Sequence, residues 1–163
     1  PQSALKQDGG YNGQTVRLLI IDPKTGESQQ LAYPLKTPAS LIADVVAVDE
    51  NTILLIEHHD GRHHNMTQHE LYAVRLDQLP VISNNLLPSG PLKAQQAKTM
   101  LMDLNDVLAD ITFGSFFFQG MVRLPGEANE SLRLLMVADR SQQAQAKGML
   151  HFAVVEVDLP DHP

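Results

Sequence analysis

Residues 54–74 read LLIEHHDGRHHNMTQHELYAV. Five histidines, His58, His59, His63, His64 and His69, fall within twelve residues, beside the acids Glu57, Asp60 and Glu70. Neutral imidazole is a good ligand for zinc, copper and nickel. Imidazole and carboxylate together are also the groups of general acid–base chemistry. The spacing argues against chelation. No H-E-x-x-H pattern is present, and adjacent residues on an extended strand, such as His58 and His59, point to opposite faces. His63 and His64 have the same difficulty unless their segment curls. The flanks read as strands: Thr52 to Glu57 is apolar and β-rich, and Glu70 to Asp77 alternates polar with apolar residues. Asp60-Gly61 between them is turn composition. The expectation is a hairpin with a solvated loop from His59 to His69 and a candidate site at its base, around Glu57 and His58. Replacing His63 and His64 by Ala should then shift the unfolding free energy by no more than about 0.5 kcal/mol in a denaturant titration.

The elements that would position these groups are strands. Thr15 to Ile21 is a first strand, closed by the turn Asp22-Pro23-Lys24-Thr25-Gly26. Further strands are expected over Ser28 to Leu35, Leu41 to Val48, Ile53 to His58, Leu71 to Leu76, Lys98 to Leu104, Phe116 to Leu124, Leu132 to Ala138 and Met149 to Asp158. Leu104, Val107, Leu108 and Ile111 repeat at helical spacing, which suggests one short helical turn. A polar, proline-bearing insertion fills 78 to 97. Nine short strands with tight turns and almost no helix predict an antiparallel all-β architecture: sandwich, closed barrel or propeller. Grouping favours the propeller. Two strands, then a four-stranded meander, then three strands read as consecutive blades, with the last blade one strand short. The blades span 15–159, between an N-terminal extension or linker over 1–14 and a tail over 160–163. On this reading the chain is the C-terminal part of a larger propeller, incomplete alone, with remaining blades supplied by a second chain or by self-association.

Composition narrows the function. The chain of 163 residues has net charge −7, from 12 basic and 19 acidic residues. No basic stripe is visible, which argues against nucleic acid as a partner. No apolar run approaches the ~20 residues of a membrane-spanning helix. There are no cysteines, so disulfides, zinc–thiolate sites and thiol catalysis are excluded. Ser40, Ser115 and Ser131 lack a G-x-S-x-G context, which gives a serine nucleophile little support.

Three stretches in order carry a family resemblance. They are VRLLIIDPKTGESQQLAYPL, LIADVVAVDENTILLIEHHD and FFFQGMVRLPGEANESLRLLMVADR. Together they resemble the strand–turn–strand, "I-x-D … L-E-R-D" and "E-G … S-D-N" segments of the family known as esterase-like activity of phytase. The resemblance implies a propeller, a periplasmic or secreted location, and hydrolysis of phosphate or other esters with bound calcium. The chain departs from the family pattern at His58, Gln119 and Arg140, where that family usually has Arg, Glu and Asn.

On this reading Asp44, Glu57, Gln119 and Asp139 lie on or beside strands that face the central channel. Asp44, Glu57 and Asp139 are the candidate cation ligands, calcium being the expected ion. Glu57, Asp44 and His58 are the candidate catalytic groups, with Asp44 and Glu57 sharing one ion if their register matches. Gln119 and Arg140 are the candidate contacts to a small anionic ester. The competing reading is that each carboxylate ties neighbouring blades together by accepting backbone N–H groups. A non-catalytic propeller that binds a ligand or protein partner is the alternative function.

Overall fold

The computed structural model describes residues 13–38, 40–59, 68–82, 96–107, 117–126, 131–139 and 150–159. These form β1 (Thr15–Ile21), β2 (Ser28–Pro34), β3 (Leu41–Ala47), β4 (Thr52–His59), β5 (Gln68–Arg75), β6 (Lys98–Asp103), β7 (Phe117–Arg123), β8 (Leu132–Asp139) and β9 (Leu150–Val157). One helical turn, α1 (Leu104–Val107), follows β6. All pairings are antiparallel and give three sheets, β1-β2, β3-β4-β5-β6 and β7-β8-β9. The expected two–four–three grouping is the observed one.

Local sequence explains the turns. Asp22 caps the β1–β2 turn: its carboxylate accepts the Lys24 N–H at 2.7 Å, and its carbonyl accepts the Gly26 N–H at 2.8 Å. Gly26 has φ +73°, a left-handed conformation that glycine adopts without a Cβ clash. The first part of the 78 to 97 insertion is attached to β2. Pro80 O accepts the Ala32 N–H, and the Ile82 N–H donates to Gln30 O, each at 2.8 Å.

Burial shows why β4 is apolar without alternation. All eight residues of TILLIEHH are buried, because both faces of the central sheet are covered. Ile53 and Leu55 pack with Val16, Leu31, Tyr33, Tyr72 and Val74 toward β1–β2. Leu54 and Ile56 pack with Leu71, Phe118, Leu134 and Met136 toward β7–β9. The outward faces of the first and last sheets expose Leu19 and Ile21 on β1, and Val122, Leu150, Phe152 and Val154 on β7 and β9.

The hairpin differs from expectation. β4 runs to His59 and β5 begins at Gln68, with His58 opposite His69 and His59 opposite Gln68. His58, His59 and His69 are therefore buried strand residues, not part of a solvated loop. The cause is tertiary: sheets on both sides cover the strand ends that composition alone marks as polar. His63 and His64 lie outside the described residues.

Candidate functional site

Strand direction gathers the polar residues on one rim. In the central sheet, the start of β3, the end of β4, the start of β5 and the end of β6 lie together, since Leu41 pairs with His58, Glu57 with Glu70, and Glu70 with Asp103. The last sheet is oriented the same way. The Met121 N–H donates to Asp44 Oδ2 at 2.6 Å and Arg123 Nη1 donates to Val48 O at 2.8 Å, so β3 and β7 run side by side in the same direction. Phe117, Asp139 and Leu150, paired at the other sheet's matching end, thus share the rim.

On the β1–β2 side of the central sheet the rim holds a buried charge cluster. Glu57 and Glu70 are direct cross-strand neighbours on one face, an arrangement of like charges that is unfavourable unless neutralised. Two ammonium groups neutralise it. Lys98 Nζ lies 2.9 Å from Glu57 Oε2, and Lys36 Nζ donates to Glu70 Oε1. Glu57, with no solvent exposure, also accepts the Tyr33 hydroxyl at 2.8 Å and the Lys36 backbone N–H. Glu70 Oε2 accepts the Tyr72 hydroxyl and lies 2.8 Å from His59 Nε2. The other ring nitrogen of His59 is 2.7 Å from Ser40 Oγ, which in turn is 2.8 Å from Thr37 Oγ1. An ionised Glu70 can only accept, so Nε2 carries the His59 proton; in the neutral ring Nδ1 then accepts from Ser40. Lys98 reaches Glu57 across the faces of Tyr72 and Tyr33, 4.5 and 5.0 Å from their centroids.

The opposite face carries different groups. His58 Nε2 is 2.9 Å from the Phe118 carbonyl oxygen. His69 meets His58 edge to face, with ring centroids 4.1 Å apart, and lies 5.8 Å from the Phe118 ring. Gln119 and Asp139 stand at the rim of the last sheet, with Gln119 Nε2 3.5 Å from Asp139 Oδ2. Gly120 follows at a register shift, where an added Cβ would lie 3.1 Å from Val137 Cγ1.

The expected sharing of one ion by Asp44 and Glu57 is not what the fold builds. Asp44 faces β7 and Glu57 faces β2, on opposite sides of the central sheet. A bulge between Ile42 and Asp44 sets Asp44 opposite Ile56, away from Glu57. Each carboxylate accepts a backbone N–H from a neighbouring segment, Met121 for Asp44 and Lys36 for Glu57, which is the blade-tying arrangement. Among the described residues no three His, Asp or Glu side chains converge as a metal site. Asp44, Glu57 and Asp139 therefore do not fit calcium as a set. Arg140 lies outside the described residues. Sequence reasoning missed Lys36, Ser40, Glu70 and Lys98 as members of the cluster. A usable signal existed: E-H-H and H-E mirror each other about the turn, which pairs 57 with 70 and 58 with 69.

Burial and pairing set the protonation states. The His58 imidazole is pushed from its ordinary 6.5 to about 4, chiefly by burial, against the pull of the Phe118 carbonyl. Burial alone would raise Glu70, but hydrogen bonds from Lys36, Tyr72 and His59 outweigh it and hold the carboxyl at about 2, down from 4.5. Burial pushes the Lys98 ammonium down, opposed by Glu57, and pushes the Tyr33 and Tyr72 phenols up. A histidine that protonates near 6.5 when unfolded and near 4 when folded costs stability as pH falls through that window. Glu70 adds a second loss between 4.5 and 2, where the unfolded carboxylate takes its proton first. Stability in urea should thus begin to fall below about pH 6.5, by up to about 3 kcal/mol from His58 by pH 4. His58→Gln should flatten the upper window and leave the lower one. An unchanged slope between pH 6.5 and 4.5 in that variant would remove His58 as its source.

Antiparallel sheets arranged in series, with neighbours meeting along β3 and β7, define a β-propeller type of chain. More particularly, the chain belongs to the phytase-like family described as esterase-like activity of phytase, whose sequence profile matches residues 1–140. No match was found among curated proteins or among solved structures.

Proposed function

We propose that this chain forms part of a propeller that hydrolyses phosphate or other esters on the rim carrying Lys36, Glu57, His58, His59, Glu70, Gln119 and Asp139. One observation carries the reading. In a chain of a family described by esterase-like activity, two carboxylates, an imidazole and two ammonium groups meet at one rim. These are the groups that move protons and offset developing charge in ester hydrolysis. Further blades, from another chain or another copy, cover the exposed apolar faces of the first and last sheets. A periplasmic or secreted location suits this role. No step is assigned to calcium, because Asp44, Glu57 and Asp139 do not converge.

The test is release of phosphate from a generic phosphate monoester, and of alcohol from a generic carboxylic ester, by the protein in its native assembly. Turnover is expected, and it should persist in a chelator. Loss of turnover in the chelator would reinstate a divalent cation and place its ligands outside those three carboxylates. Absence of turnover with both ester classes would leave the non-catalytic binding module, a reading that the occupied oxygens of Glu57 favour.

A further inference from the structure

Lys36 differs from the other charged members of the cluster. Glu57, Glu70 and Lys98 are buried, whereas the Lys36 side chain is 44% exposed. A surface lysine normally samples many rotamers. Here both ends of the residue are tied to buried carboxylates. Glu57 accepts its backbone N–H and Glu70 accepts its ammonium. The turn that carries it is closed as well: Ser40 N–H donates to Thr37 O at 3.2 Å, and Thr37 N–H donates to Ser40 Oγ at 3.3 Å. Ser40 is itself held by His59. The conformational entropy of placing this ammonium is thus largely spent in folding, which is preorganisation for a ligand.

An ammonium group has three N–H donors, and the hydrogen bond to Glu70 uses one. Lys36 and Glu70 offset each other's charge, so an anion here is held by the remaining N–H donors on the exposed side of the ammonium. Thr37 is exposed beside it. On a chain of net charge −7, an anion needs such a local cation to approach.

We propose that the Lys36–Thr37 turn is an anion-recognition site that docks the phosphate group of a substrate, with Glu70, His59 and Ser40 acting as positioning residues behind it. This rests on the hydrolase reading for its substrate, but its test does not need turnover. Inorganic phosphate would be titrated by calorimetry into the protein in its native assembly, as wild type, Lys36→Met and Lys36→Arg, each checked for native circular dichroism. Wild type should bind phosphate, Lys36→Met should bind at least tenfold more weakly, and Lys36→Arg should stay within a few-fold of wild type. With turnover, Lys36→Met should raise KM for a phosphate monoester at least tenfold, and Lys36→Arg should keep it within a few-fold of wild type. No phosphate binding by wild type, or equal binding by Lys36→Met, would overturn the site. Lys36-dependent phosphate binding without turnover of any ester would keep the site and reject the hydrolase reading. Turnover of a phosphate ester with unchanged KM in Lys36→Met would do the reverse.

Discussion

Glu57→Gln should lower folding stability by about 3 kcal/mol, seen as a drop in melting temperature of roughly 10 °C for a domain of this size. Glu57 is fully buried and its carboxylate is the counter-charge of Lys98, whose side chain is only 8% exposed. The glutamine keeps one acceptor but removes the charge, which leaves an ammonium buried against two tyrosine rings and a carbonyl of Pro34. Breaking a buried pair on one side is costly for this reason, whereas removing both charges is often close to neutral. The double variant Glu57→Gln/Lys98→Met should therefore recover most of the loss. A single variant within 1 kcal/mol of wild type, or a double variant worse than the single, would show that the pair is not the main electrostatic contact of this cluster.

Phe118→Ala should cost about 3–5 kcal/mol in chemical denaturation, the usual scale for emptying a buried aromatic site. Phe118 is 1% exposed and packs in the layer between the central and last sheets, with its ring against His69. The substitution has a second readout. His58 is held low mainly by burial, and the cavity left by Phe118 sits on that face of the sheet. Water entering it should bring the His58 imidazole back toward its ordinary value, measured by the pH dependence of its ring proton signals. Phe118→Leu, which fills more of the space, should lie between wild type and Ala in both measurements. A large stability loss with His58 unmoved would separate the packing role of Phe118 from the solvation of His58.

Much of the fold was legible because its signals are local. Asp22-Pro23 and Gly26 specify their turn through a short carboxylate, a fixed φ and a left-handed glycine, and none of these needs a distant partner. Strand boundaries mostly came out within a residue or two, since β-rich runs end where turn residues begin. The site was legible only in its types. The opposite facing of His58 and His59 follows from strand periodicity and is observed, with His58 toward Phe118 and His59 toward Glu70. The burial of both was not legible, because polarity marks a residue for solvent unless something known covers it. The separation of Asp44 from Glu57 was equally hidden, since a one-residue bulge between Ile42 and Asp44 changes which face a side chain takes.

By itself, the sequence determined an antiparallel all-β chain, its two–four–three order of strands, the absence of thiol chemistry and its family. The first three depend on periodicity, turn residues and composition, which each segment carries alone, and the family on the resemblance of three stretches in order. The tertiary structure decided that Lys36 and Lys98, 62 residues apart in sequence, neutralise two glutamates brought opposite each other by one hairpin. It also decided that Ser40 meets His59, and that Asp44 serves β7 while Glu57 serves β2. Those contacts depend on which sheet covers which face, and a strand that marks itself as covered does not name the segment that covers it.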